Sequence, residues 1–171
     1  MSESIETMVD RLPSHYTSRP LTLDDAEAVV ILGDAANRAM GIDNKGNADV
    51  LRSDWQEPNF DLANSSIAIE DKGVLIGYAV LWDNDVTPVR PWSSWTIQHE
   101  LYGTPLAGFI LNWLETTARR VLDKVPADAR VILQTNVLEG YQPRVEALNQ
   151  AGFAHARNFY RMLITLNDAP P

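Results

Sequence analysis

The chain contains no cysteine, which excludes disulfides, thiolate metal ligands and a cysteine nucleophile. Positive charge is scarce: 14 Lys and Arg against 23 Asp and Glu leave a formal charge of -9. Nucleic-acid affinity depends on Lys and Arg displacing counterions, so this balance argues against a nucleic-acid partner and favours a cationic or amine ligand. The three histidines, His15, His99 and His155, are too widely separated to suggest a metal cluster, and no metal is expected. No apolar run reaches transmembrane length, and the opening MSESIETMVD is acidic, without the basic stretch and apolar run of a secretory leader. These absences lead to the expectation of a soluble, cytoplasmic protein with no membrane partner.

What the sequence does contain is enough apolar material for one core. At 171 residues and 45% hydrophobic, the chain can bury roughly two thirds of its unfolded surface in a single domain. Residues 1–15 are polar and aperiodic and read as an irregular arm. Thr22 followed by Asp25 at a spacing of three forms a capping-box start, and Ala26, Val29, Val30, Leu32 and Ala36 continue a helix that ends near Gly41. A second helix follows in NADVLRSDWQEPNF and stops at Pro58. Two apolar runs, Ile67 to Glu70 and Val74 to Trp82, flank Asp71-Lys72-Gly73, which is a hairpin signature.

The run WSSWTIQHE alternates, with Trp95, Ile97 and His99 on one face, and reads as a strand. The longest helix is expected from about Gly103 to Lys124, with Leu106, Ile110, Trp113, Leu114, Thr117 and Val121 at helical spacing and Pro126 beyond its end. ARVILQTNV reads as a strand, YQPRVEALNQAGF as a helix with a glycine stop, and NFYRMLITL as a last strand before the Pro-rich NDAPP. Arg119, Arg120 and Lys124 complement the negative end of the long helix.

This order, with the segments RPLTLDD, IEDKGVLIGYAVLWD, IQHELYGTPLAGFILNWLE and LNQAGFAHARNFYRM, resembles the GNAT superfamily of acyl-CoA-dependent N-acetyltransferases. The resemblance covers roughly residues 16–166, leaving 167–171 as a tail or linker. It implies an α+β, GNAT-like fold: a mixed central sheet of about six to seven strands flanked by about four helices. The implied cofactor is acetyl-CoA, and the implied activity is acetyl transfer to a small-molecule or protein amine. The family pattern Gln/Arg-x-x-Gly-x-Gly/Ala receives the cofactor's pyrophosphate and falls on Tyr102, Gly103, Thr104, Pro105, Leu106 and Ala107. The terminal small residue is kept, whereas the basic residue and the central glycine are replaced.

The physics of that junction stands without the family. A helix N-terminus offers unpaired N–H groups and a positive dipole end to an anion, provided the backbone can be approached closely. Gly103, Ala107 and Gly108 keep the surface low. Pro105 suits a first helical turn but removes one N–H, a charged hydrogen bond worth about 1.5–3 kcal/mol. The strand end Ile97, Gln98 and His99 completes the expected cofactor contacts, while His99, on the same strand face as Trp95 and Ile97, reads first as a packed histidine rather than a catalytic one. Asn136 is a candidate contact for the pantetheine arm or a strand-ending turn residue. Tyr141 falls where the resemblance implies a cofactor-contacting asparagine, and it also reads as an aromatic anchoring a helix start.

The tyrosine that often protonates the departing thiolate in this family falls on Leu148, which has no proton to give. Glu100 is the candidate base, or else a surface carboxylate near a helix start. Trp82 and Asp83 are candidates for an acceptor pocket, with Asp83 drawing an ammonium group. The alternative is a catalytically weak or inactive domain acting as a CoA-binding or scaffolding module, partnered by a second GNAT domain or by another copy of itself.

Overall fold

The computed structural model describes residues 12–160. A short strand β1 (Tyr16–Arg19) opens the fold and leads through a 3-10 turn at Leu23–Asp25 into helix α1 (Ala26–Ala39). The Asp25 carboxylate accepts both the backbone N–H and the hydroxyl of Thr22, so the capping signal forms as expected. Helix α2 (Ala48–Trp55) starts at Asn47, whose side chain accepts from the Asp49 and Val50 amides, and a single turn α3 (Leu62–Ser65) follows. The hairpin is β2 (Ser66–Asp71) and β3 (Val74–Trp82). Lys72 and Gly73 both adopt positive φ, 51° and 80°, the backbone that a two-residue primed turn demands and glycine adopts without strain.

Strand β4 (Trp92–Ile97) leads into helix α4 (Pro105–Ala118), a 3-10 extension at Arg119–Lys124, strand β5 (Gln134–Thr135) and helix α5 (Gln142–Gln150). The sheet order is β1-β2-β3-β4-β5. Neighbours are antiparallel up to β4, and β5 then lies parallel to β4, with Trp92 opposite Gln134 and Ser93 opposite Thr135. One sheet face carries Ile67, Ile69, Trp95 and Ile97 against Leu106, Ile110 and Leu114 of α4 and Leu148 of α5. The other carries Ala68 and Val80 against Leu21, Val29 and Trp55. Alternation along the strands thus builds two cores, one for each helical layer.

The α+β class holds, with five strands among the described residues instead of six to seven. β1 was not foreseen: four residues alternating in burial along a sheet edge are too short for a periodicity signal. The expected last strand over NFYRMLITL lies mostly outside the described residues, and 158–160 belong to no element. ARVILQTNV pairs as a ladder at only two residues. Ser93 Oγ donates to the Gln134 carbonyl and Thr135 Oγ1 to the Ser93 carbonyl there, and beyond that point the two chains part. The arm at 1–15 and the tail at 167–171 lie largely or wholly outside the described residues.

Gly77 lets α4 sit close to the sheet. A Cβ built there would stand 2.9 Å from Ile97 Cγ2 and 3.3 Å from Ile110 Cδ1. Only hydrogen fits between these two fully buried side chains.

Candidate functional site

Because β5 pairs with β4 only at Trp92 and Ser93, the edge of β4 from Ser94 to Ile97 has no ladder partner on that side among the described residues. The Gln98 amide donates to Ile76 of β3 at 2.9 Å. Successive peptide groups in a strand point to opposite sides, so the polar groups of Ile97 and Trp95 turn the other way, into the wedge between the parting chains. The strand ends at Ile97, one turn earlier than its alternation suggests. His99 is consequently not a packed strand residue; it stands exposed in the 3-10 turn His99–Leu101.

That turn delivers the chain to α4 through Gly103, at φ 85°, and Thr104, the residue that caps the helix. Thr104 Oγ1 accepts from the Leu106 amide at 3.3 Å and donates to the Leu101 carbonyl at 2.6 Å. Pro105 occupies the first helical turn, as expected. Leu106 directs its side chain into the core with no exposed surface, so only its amide belongs to the junction. Nothing lies within 4 Å of a Cβ built at Gly103 or Gly108: both positions open onto free space.

The space is a groove of about 860 Å³ between the two helices, lined by Tyr102 to Pro105, Ala107, Gly108, Asn112 and Glu115 on one side and Gln142, Pro143, Glu146 and Gln150 on the other. Among the described residues no Lys or Arg lines it, and two carboxylates, Glu115 and Glu146, do. Its volume suits a sizeable ligand. Its charge gives an anion only helix-end amides and the dipole.

Tyr102, which lines the groove, belongs to an aromatic cluster. Tyr102 packs at 5.8 Å from the Trp95 ring and edge-on to Tyr141 at 5.4 Å. His99 Nδ1 and the Tyr141 hydroxyl share a 2.7 Å hydrogen bond across 42 residues of sequence. The Arg144 guanidinium stacks on Trp95, 4.5 Å from the ring centre. Burial pushes the Tyr102 hydroxyl up to about 12 and moves those of Tyr78 and Tyr141 in the same direction. Burial also lowers the Arg144 guanidinium from its usual range. Glu100, exposed in the turn, adds to the upward shift at Tyr141.

Sequence-picked residues converge here from two distant segments: Ile97 to Gly108, and Tyr141. Tyr141 is buried and precedes α5, combining an anchoring position with a place in the cluster. Asn136 is exposed just beyond β5, at the opening of the wedge. Leu148 is buried in the core.

Trp82 and Asp83 are not brought to this place. Trp82 pairs with Trp92, at the opposite end of β4 from Ile97, roughly 16 Å away by strand rise. Its ring stacks on Phe60 at 4.2 Å. The Asp83 carboxylate is buried and held by Arg120 through bonds of 2.7 and 2.8 Å, with Lys124 at 3.4 Å. Burial alone would raise the Asp83 carboxyl, but Arg120 and Lys124 bring it below its ordinary value. Arg120 thus has an internal partner beyond the helix dipole.

Residues that pattern reading passed over include Glu115, Glu146 and Arg144. Arg144 had a signal: it shares the inward phase of α5 with Leu148, four residues on, and a charged residue in an apolar stripe calls for an explanation.

No protein-family model matches the chain, and no curated protein does. Solved structures do match in three dimensions. A GCN5-related N-acetyltransferase from Sphaerobacter thermophilus superposes with a TM-score of 0.73 at 21% identity over 81% of this chain. The chain spans only 43% of that protein's length. The yncA protein of Salmonella typhimurium, whose structure holds its cofactor acetyl-CoA, superposes at 0.60 and 17% identity, over 82% of this chain and 80% of its own. An aminoglycoside acetyltransferase from an uncultured soil metagenomic sample, in complex with sisomicin, superposes at 0.54 and 9% identity over 90% and 97%. The fold is that of the GCN5-related N-acetyltransferases. Identities this low establish the architecture, and function must be argued from the site.

Among the described residues, no helix is long and apolar enough to cross a membrane, and no group of three or more His, Asp or Glu is placed to hold a metal ion.

Proposed function

We propose that this chain binds acetyl-CoA in the groove between α4 and α5 and transfers the acyl group to an amine. The observation that carries this reading is a juxtaposition: the glycine-lowered front of α4, which lines the groove, follows the unpaired edge of β4 through the turn at His99–Leu101. The residues present suit such a ligand in shape. Open space at Gly103 and Gly108 admits a diphosphate against the backbone, and the Ala107 amide lies at the positive helix end, beside the Leu106 amide that Thr104 caps. An extended arm with amide groups would pair with the outward polar groups of Trp95 and Ile97 as an added strand does. Asn136 is exposed just beyond β5, and Tyr102 lines the groove with Tyr141 packed against it.

When bound, the thioester supplies an activated acyl group. The chain's own residues then have three tasks. The outward Ile97 N–H, which acts on the Tyr102 hydroxyl, stabilises negative charge on an acyl oxygen when Tyr102 yields it. The wedge holds the donor in one orientation, which contributes much of the rate of a bimolecular transfer. Glu100, exposed at the mouth, takes the proton that the attacking amine must lose. The net negative charge of the chain draws a cationic acceptor.

Thermal stabilisation by acetyl-CoA tests the binding step, since a ligand at about a hundred times its dissociation constant adds roughly 2.7 kcal/mol of stability. Thiol release with a panel of aminoglycosides, other small amines and protein amines then tests the chemistry. The absence of cysteine leaves that assay without protein background.

The second reading, a weakly binding or scaffolding domain, draws on one observation: among the described residues the groove is lined by two carboxylates and no cation. Its natural partner is a second GNAT domain or another copy of the chain, in keeping with the 43% of the Sphaerobacter protein that this chain spans. No stabilisation at millimolar acetyl-CoA selects this reading.

A further inference from the structure

Arg144 is the one arginine among the described residues with a nitrogen sealed from solvent and no acceptor: its Nε is buried and unpartnered. It forms no salt bridge within the described residues. The groups that face it are the Trp95 ring and the hydroxyls of Tyr78 on β3, Tyr102 before α4 and Tyr141 before α5. Beyond these, His99 is bonded to Tyr141 and Glu100 acts on it. All three phenols remain neutral at ordinary pH, so among the described residues no negative charge in the cluster offsets the guanidinium. Burying a cation without a counter-charge is costly, and stacking on an indole returns only part of that cost. The Tyr102 hydroxyl beside it is also buried and unpartnered. A buried guanidinium whose Nε has no partner, stacked on an indole beside a phenol and faced by no carboxylate among the described residues, describes a receptor for an anion.

The position specifies which anion. Arg144 lies over Trp95, which belongs to the free edge of β4 just past the last β4–β5 pair. It stands one turn before Leu148 on the same face of α5, and Leu148 is sealed in the core with no proton to donate.

We propose that Arg144, assisted by the Tyr102 hydroxyl, is the receptor for the thiolate of coenzyme A, so that α5 stabilises the leaving group with a fixed positive charge instead of protonating it. This assignment rests on the acyltransferase reading above. In the transfer, the amine nitrogen bonds to the acyl carbon and the carbon–sulfur bond breaks with its electron pair staying on sulfur. The amine's surplus proton passes by way of Glu100 to water. Thioester and amine thus become amide, thiolate and proton, and the thiolate is paired with Arg144.

The test is the ionisation of free coenzyme A on the protein, read from the ultraviolet thiolate band in a chain without cysteine. Subtracting the complex with desulfo-coenzyme A removes the tyrosine contribution. The expected result is a bound thiol that ionises at least one pH unit below the free thiol, a tenfold gain in thiolate. R144K should keep part of the shift and R144Q should lose it. Desulfo-coenzyme A should bind wild type and R144Q equally, because it has no sulfur to recognise.

R144Q removes an uncompensated buried charge, so its melting temperature should hold or rise. Should it fail to fold, the wild-type titration and R144K still decide. Coenzyme A bound with an unshifted thiol, or shifted equally in R144Q, overturns the role of Arg144 while leaving the groove assignment intact. Failure of the wild type to bind either compound overturns the acyltransferase reading, and this assignment with it.

Discussion

Replacing Gly77 by alanine puts a methyl carbon 2.9 Å from Ile97 Cγ2, 3.3 Å from Ile110 Cδ1 and 3.5 Å from the Thr96 carbonyl. Neither isoleucine can move outward, since both are fully buried. Forcing one extra carbon into a filled core typically costs about 1–3 kcal/mol. The stiffer unfolded chain of alanine offsets roughly 0.5–1 kcal/mol of that. A net loss of about 1–2 kcal/mol should appear as a lower urea midpoint with an unchanged slope. For a chain of this size it also lowers the melting temperature by roughly 2–8 °C. The clash involves Ile97, the last residue of the β4 edge, so ligand affinity should weaken along with stability. A double-mutant cycle assigns the cause: with Ile97→Ala, which deletes the nearest carbon, Gly77→Ala should become neutral or stabilising. Equal destabilisation in both backgrounds would refute steric contact as the reason for glycine at this position.

Pro105→Ala restores one N–H at the front of α4 and should tighten acetyl-CoA roughly tenfold by calorimetry, the yield of one charged hydrogen bond of about 1.5 kcal/mol; an unchanged constant would place the diphosphate elsewhere. Asp25 is held at about 2, chiefly by its hydrogen bonds from Arg19. The folded value lies below the unfolded one, so this contribution is present above pH 4 and is lost as pH falls towards 2. Asp25→Asn should therefore reduce stability by about 1 kcal/mol at neutral pH, discounting for the half-exposed Arg19, and the two proteins should converge in acid melts. Arg120→Met strands the buried Asp83 carboxylate with only Lys124 near it, which should cost about 3–5 kcal/mol in chemical denaturation. A loss below 1 kcal/mol would mean that solvent or Lys124 satisfies Asp83 unaided.

The elements with strong local signals could be read from residue order alone. The Thr22–Asp25 cap, the Lys72–Gly73 turn, the proline in the first turn of α4 and the apolar stripe along that helix depend on interactions within a few residues, and each forms as its chemistry dictates. The low, glycine-flanked junction at Gly103 to Gly108 was legible for the same reason. Local pattern also set a limit, because β1 is too short to carry a period and the alternation of WSSWTIQHE overran the strand by a turn. Neither misreading alters the layers of the fold.

Only the tertiary structure decided what surrounds each polar group. Asp83 looked available at a strand end, yet Arg120, 37 residues away, closes on it. Tyr102 stands where the family pattern has a basic or amide residue at the cofactor's pyrophosphate, yet its ring packs inward against Trp95 and Tyr141. Arg144 drew no notice in the chain, and its weight comes wholly from the space in which α5 sets it, over an indole and beside three neutral phenols. Hydrogen-bonding periods and caps are short-range and survive in a one-dimensional string. Burial and charge compensation depend on segments that meet only when the sheet closes, and a string does not record what lies opposite.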